Sequence, residues 1–287
     1  MVDMKFISVI IPTYKDWERL RLCLDSLKSQ TYPQEFFEII VVNNYPDDTV
    51  PSDLVFEKNV KYLVETAPGS YAARNCGLRV AFGEIIAFTD SDCIADKDWL
   101  TNAVTLFQND PKVSRIAGRI QLFYKNPEKH NLVEIYESVY AFRQDKAADI
   151  GISVTGNMFC YRYLFDKDKV GIFNDVLLSG GDYEWSVRAQ QKGFQIIYGN
   201  DVVINHPARN SFKEIVNKSK RLAGSVEIIK KVKFWKFIIP PLRSLSWSKE
   251  KQFHIRIIAF LVKYYLNLVR FVESLKILTG IKNPNRV

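Results

Sequence analysis

Apolar positions along the chain repeat with two different periods, and the switch between them marks out the elements. Residues 5–11, Lys-Phe-Ile-Ser-Val-Ile-Ile, are a β-branched run closed by Pro12, the pattern of a buried parallel strand. Trp17, Leu20, Leu24 and Leu27 then recur at helical spacing, with Asp16 placed to cap the helix. Strands are predicted at residues 37–42 and 60–64. Pro68-Gly69-Ser70 opens a helix running to about Phe82, and residues 84–89 form a fourth strand ending in Asp90. Strand and helix alternating in this way predict a parallel sheet with helices on both faces. Ligands collect at the carboxyl ends of such strands. Those ends are Pro12-Thr13-Tyr14, Asn43-Asn44-Tyr45 and Thr89-Asp90-Ser91-Asp92, all polar where the rule wants a site. No internal repeat interrupts the pattern.

From about residue 111 the rhythm changes. A strand over residues 113–123 precedes a helix near 132–142, a turn at Thr155-Gly156-Asn157 and a strand over 158–161. Residues 180–192 read as a loop entering a helix, and 194–198 and 202–205 as two strands. This half is expected to be a mixed extension of the same sheet.

Charge divides the chain. Residues 201–287 carry 18 Lys+Arg against 5 Asp+Glu, whereas residues 1–200 carry 22 against 27, so the net +8 is an acidic body with a basic tail. Such a tail suits nucleic acid, anionic lipid or an acidic ligand. No run of 18 apolar residues occurs, which excludes an evident spanning helix. The opening residues lack the basic-then-apolar build of a secretory signal, so no leader is expected. Cys23, Cys76, Cys93 and Cys160 are widely spaced without a C-x-x-C pair, which predicts buried thiols in a reducing compartment.

Three features carry chemistry. Asp90-Ser91-Asp92 puts two carboxylates at a strand end, where they can hold a hard divalent cation against a diphosphate; an Asx turn with Asp92 capping the next helix is the plainer alternative. Gly180-Gly181-Asp182 enters a helix, so Asp182 is either a general base or an ordinary cap. His206 ends an apolar strand as a structural imidazole or a metal ligand.

Together these residues resemble the inverting, nucleotide-sugar-dependent glycosyltransferases of family 2, which have the GT-A fold. Residues 8–14 look like that family's opening strand, and residues 69–77 with 83–92 resemble its central block with the D-x-D motif. Thr155-Gly156-Asn157-Met158 is similar to its glycine loop, Gly181-Asp182 sits where the family has Glu-Asp, and His206 where many members carry a metal-binding His. The resemblance covers roughly residues 5–225 in order. It implies Asp182 as catalytic base; Pro12, Tyr14, Asn43, Asn44, Arg74, Asn75, Asp90, Ser91 and Asp92 at the nucleotide sugar; Gly156, Asn157, Glu184 and Trp185 at the acceptor; and Asp92 with His206 on Mn2+ or Mg2+. Two departures stand out. Asn43-Asn44 replaces the usual Asp-Asp or Asp-Asn, whose carboxylate accepts the uracil imide hydrogen, and Gly181 replaces the Glu. A UDP-sugar is still expected ahead of a GDP-sugar, and a glycan or lipid-linked molecule as acceptor. The other class of reading is a GT-A-like scaffold that binds nucleotide or glycan without turnover in a membrane-bound assembly complex.

The catalytic domain is expected over residues 1–228 and a basic amphipathic helical segment over 229–287. In residues 253–278, Arg256, Lys263, Asn267, Arg270 and Ser274 form one narrow polar stripe on an otherwise apolar helix. Lys230, Lys231, Lys233 and Lys236 lie upstream beside Phe234 and Trp235. This combination suits an anionic membrane surface, which places the protein peripherally on the inner face of the cell membrane. A cover for the core or a homodimer contact is the alternative. No nucleic-acid motif accompanies the charge.

Overall fold

The computed structural model describes residues 4–229, 234–246 and 251–281. The chain runs β1 (Ile7–Thr13), α1 (Trp17–Lys28), β2 (Phe37–Asn43), β3 (Val60–Val64), α2 (Ser70–Val80), β4 (Ile85–Thr89), β5 (Ile94–Ala95), α3 (Trp99–Asn109), β6 (Val113–Phe123), α4 (Leu132–Tyr140), α5 (Gln144–Asp149), β7 (Asn157–Tyr161), α6 (Gly181–Gln191), β8 (Gln195–Pro207), α7 (Phe212–Ile229) and α8 (Phe253–Leu278). One sheet has the order β3-β2-β1-β4-β7-β6-β8-β5. It is parallel from β3 to β4 and turns antiparallel at β7, the mixed extension the sequence predicts.

Every residue of β1, β2 and β4 is buried, as central strands covered on both faces must be. Pro12 does not close β1 as expected. The pairing of β1 with β4 stops at Ile10↔Phe88, while β2 stays paired through Thr13↔Asn43. Pro12 therefore sits past the β4 ladder, where its missing N–H leaves no bond unmade. Gly83 is fixed by a close approach, since a Cβ there would lie 2.4 Å from the Ser8 backbone nitrogen. β8 is one strand where the sequence reads as two. It passes through Gly199, whose added Cβ would meet Ile116 Cγ2 at 2.9 Å.

Two compact units emerge. The first comprises residues 1–121, 143–176 and 181–206, and the second residues 122–142, 177–180 and 207–287. In the first, the fully buried Asn157 ties four elements. Its Oδ1 accepts the Trp99 indole N–H at 2.9 Å, and its Nδ2 donates to the carbonyls of Arg119 at 2.8 Å and Val202 at 2.9 Å. Arg115 is also wholly buried. It donates to the carbonyls of Gly151 and Phe194, and burial pushes its pKa down to about 10. Cys23, Cys93 and Cys160 are buried and Cys76 is half-buried, all of them free thiols.

In the second unit α4, α7 and α8 share a core of Val133, Ile215, Val262 and Leu266, flanked by Tyr136 and Val216. Asn131 and Glu134 cap α4 reciprocally. The polar stripe of α8 is real but turned inward. Asn267 and Ser274 are buried and Lys263 and Arg270 half-buried, while Ile257, Leu261, Tyr265, Val272 and Leu275 are exposed. Among the described residues no helix is long and apolar enough to cross a membrane. Lys230, Lys231 and Lys233 lie outside the described residues.

Asn157→Ala strands a buried indole N–H and two carbonyls. A loss of about 2–4 kcal/mol is expected in urea unfolding. A variant as stable as the wild type would show that these bonds contribute nothing.

Candidate active site

The site grows from the end of β4. After Thr89 the chain turns at Asp90-Ser91-Asp92, with the Cys93 N–H donating to the Asp90 carbonyl at 3.1 Å. Asp90 Oδ1 accepts Arg74 Nη2 at 2.5 Å, and Arg74, on α2, is 3% exposed. Asp92 does not cap the following helix, which starts at Trp99. One of its oxygens lies 3.6 Å from His206 Nε2 and the other 3.4 Å from Arg19 Nη1. Arg19 Nε in turn donates to Asp16 at 2.7 Å, and Ser91 Oγ donates to the other Asp16 oxygen at 3.1 Å. Asp16 thus spends its carboxylate on the site and makes no side-chain cap for α1.

Donor atoms of Asp90, Asp92, Cys93 and His206 all lie within 4.8 Å of one another. Two carboxylates and an imidazole suit a hard divalent ion such as Mn2+ or Mg2+. The Cys93 thiol adds little for such an ion, because burial holds it well above its ordinary pKa.

Asp182 stands in the first turn of α6. Its Oδ1 accepts the Tyr71 hydroxyl at 3.0 Å and its own helix's Tyr183 N–H at 2.9 Å, and Oδ2 faces the Thr155 N–H at 3.4 Å. Enclosure raises its pKa above the carboxylate norm, while the Tyr183 N–H, Arg74, Tyr71 and Thr155 pull it back. Gly181 explains itself here, since a Cβ would fall 2.8 Å from the Tyr71 ring. The tyrosine that orients Asp182 occupies the room a side chain at 181 needs. Arg74 lies 5.5 Å from the same ring, so Asp90, Arg74, Tyr71 and Asp182 form one chain of contacts. Gly156 closes it, with an added Cβ coming 3.3 Å from Asp90 Oδ2.

Several residues carried over by resemblance are engaged within the protein itself. Asn43 is fully buried, its Nδ2 donating to the carbonyls of Tyr45 and Asp48 and facing the Tyr62 hydroxyl, and its Oδ1 accepting the Tyr45 N–H. Asn44 likewise staples Glu65, Ala67 and Gly69. Asn75 clamps the backbone of Phe173 in both directions. Asn157 is the buried tie described above. Trp185 has 0% exposure, stacks on Phe165 and donates to the Gly171 carbonyl, so its ring is closed to any sugar. Glu184 holds Arg188 at 2.7 Å. At the ends of β1 and β2 the surface offers Tyr14, 59% exposed, edge-on to Tyr45, with Lys15 Nζ 3.8 Å from the Tyr45 ring centre. Pro12 is buried within β1.

Tyr71, Arg19, Asp16 and Lys15 escaped the sequence reading of the site. Arg19 and Asp16 sit just beyond a strand end, which was the one available hint. Tyr71 shows only as another aromatic residue on a helix.

The chain matches the family model for Glycosyl transferase family 2 over residues 8–168. It is 32% identical over 233 residues to the glycosyltransferase AglE of Haloferax volcanii, a match covering 78% of this chain and 74% of that protein. It is 22% identical over 231 residues to the dolichyl N-acetyl-alpha-D-glucosaminyl phosphate 3-beta-D-2,3-diacetamido-2,3-dideoxy-beta-D-glucuronosyltransferase of Methanococcus voltae, covering 75% and 71%. The mannosyltransferase PcManGT from Pyrobaculum calidifontis, solved in complex with GDP-Man and Mn2+, superposes with a TM-score of 0.57 at 22% identity, over 98% of this chain and 77% of that one. With the mixed sheet and these likenesses in place, the chain belongs to glycosyl transferase family 2 and is a glycosyltransferase of the GT-A fold.

Proposed function

We propose that this chain is an inverting, metal-dependent enzyme that moves a sugar from a nucleoside diphosphate to an acceptor hydroxyl, in the synthesis of a cell-surface polysaccharide or glycolipid. The observation that carries this reading is the chain of contacts from Asp90 through Arg74 and Tyr71 to Asp182, beside a donor set that fits a divalent ion. Asp90, Asp92 and His206 would hold the ion, which supplies positive charge to the leaving diphosphate when bound. Asp182 takes the proton of the acceptor hydroxyl, and the acceptor oxygen forms its bond to the anomeric carbon from the far side. The bond from that carbon to the diphosphate breaks, and the diphosphate leaves with the electron pair. One displacement with one base inverts the anomeric centre.

The expectation of uracil over guanine has no support at the site, because the Asn43 amide is spent on its own loop. Exposed Tyr14 remains the residue for the base to meet. Gly181 makes room for Tyr71 and Asn44 staples its neighbouring loop, so neither departure from the family pattern by itself favours a scaffold without turnover. The exposed apolar face of α8 and the basic charge of the second unit support a peripheral place on the inner face of the cell membrane, where an anionic surface and a lipid-linked acceptor are met.

Hydrolysis and transfer assays with UDP- and GDP-sugars and Mn2+ or Mg2+ test the reading; no turnover of any donor would return the scaffold. In calorimetry Asp92→Asn is expected to lose most of the metal-dependent part of nucleoside diphosphate binding. Undiminished metal dependence removes Asp92 from the site. Asp182→Asn is expected to keep donor binding and lower transfer by about 10²–10⁴-fold; wild-type rates would assign the base elsewhere. Tyr71→Phe deletes a hydrogen bond that favours ionised Asp182, so the acidic limb of the pH–kcat profile is expected to move to higher pH. An unmoved limb would mean that Tyr71 only packs.

A further inference from the structure

Cys93 completes a donor set that a hard ion uses only in part. The residue is 1% exposed, its Sγ donates to Asp92 Oδ1 at 3.8 Å, and the same oxygen lies 3.6 Å from His206 Nε2. With Asp90 included, all four donor atoms lie within 4.8 Å of one another. Four-coordinate zinc has bonds of about 2.3 Å to sulfur and about 2.0–2.1 Å to nitrogen or oxygen. Its tetrahedron therefore sets sulfur about 3.6 Å from oxygen, and nitrogen about 3.3 Å from oxygen. The two measured edges exceed these by only about 0.2–0.3 Å, a gap that small side-chain rotations close. Cys23 stands outside the set and spends its Sγ on the Asp90 carbonyl at 3.7 Å.

Charge points to the same ion. Asp90 pairs with Arg74 at 2.5 Å and Asp92 with Arg19 at 3.4 Å, so each carboxylate already has a cation beside it. A dication added here leaves an excess of positive charge. Mn2+ or Mg2+, which prefers oxygen, meets that excess with the diphosphate of the donor. A thiophilic ion meets it from within the protein. The S–H bond of Cys93 breaks, the proton passes to water, and the thiolate bonds to the metal with its electron pair. Four protein ligands then close the coordination sphere, whereas a metal that serves a reaction keeps a position open.

We infer that Asp90, Asp92, Cys93 and His206 form a tetrahedral site for Zn2+, and that zinc bound there shuts out the diphosphate of the donor. The same side chains give a hard ion an open site and a soft ion a closed one, so zinc is an inhibitor. The zinc site stands on its own geometry. The inhibition rests on the metal-dependent reading proposed above.

Co2+ takes the place of zinc in such sites and reports a thiolate ligand through a sulfur-to-metal charge-transfer band. In the full-length, nucleotide-free protein that band is expected in the wild type and in Cys23→Ser, and is absent from Cys93→Ser. Zinc affinity is expected to fall by more than about 100-fold in Cys93→Ser and in His206→Gln. Zinc-edge X-ray absorption of the wild type, expected to show one sulfur at about 2.3 Å, gives the answer if a variant fails to fold. In calorimetry with Mn2+, stoichiometric zinc is expected to weaken nucleoside diphosphate binding by at least about tenfold. A shell of nitrogen and oxygen alone, or a band that survives in Cys93→Ser, overturns the thiolate site. Undiminished nucleotide binding with zinc in place overturns the inhibition. Mn2+-dependent donor hydrolysis without zinc, measured separately, reports on the glycosyltransferase reading whatever zinc does.

Discussion

The buried guanidinium of Arg74 organises the candidate active site. Arg74 has almost no exposure, and its guanidinium reaches Asp90 at 2.5 Å while lying against the ring of Tyr71. Removing Asp90 would strand the buried guanidinium, whereas Asp90, partly exposed, keeps contact with water. The D-x-D turn and the carboxylate of Asp182 therefore share one positive charge. It fixes Asp90 directly, and through Tyr71 it fixes Oδ1 of Asp182. Even the glycine before Asp182 follows from this arrangement, because the tyrosine fills the volume that a larger residue needs.

Around that charge the same economy repeats. Asp16 and Arg19 steady Asp92 and Ser91 from the start of α1. Asn43, Asn44 and Asn75 spend their amides holding loops, so that the strand ends are rigid before any ligand arrives. Positioning of this kind is what catalysis by electrostatics needs, since charges that are already placed require no rearrangement as the reaction proceeds.

The second unit carries the opposite tension. Each large aliphatic side chain left in water forgoes roughly 1.5–3 kcal/mol of burial, and α8 leaves a row of them outside. Of its basic residues Lys263 and Arg270 are half-buried, near buried Asn267, Glu273 and Ser274, while Lys276 is exposed. The exposed aliphatic row is unfavourable in plain water.

The alternation of β-branched runs with helical periods was legible along the chain, down to the bounds of β3 and β6, and in β1, β2 and β4 burial on both faces leaves a nearly continuous apolar string. The acidic pair after β4 and the aspartate opening α6 were legible too, standing where strands and helices end. What each polar side chain touches was not. Asn157 and Trp185 look like ligand-binding residues in one dimension, yet the packing of α3, β6 and β8 around one, and of Phe165 around the other, consumes them. Tyr71 and Asp182 are 111 positions apart, and no local pattern encodes that hydrogen bond. The stripe on α8 was written in the sequence as a period of 3.6. Only the packing of α8 against α4 and α7 decided that its charges turn inward, because which face of a helix is buried depends on what lies beside it.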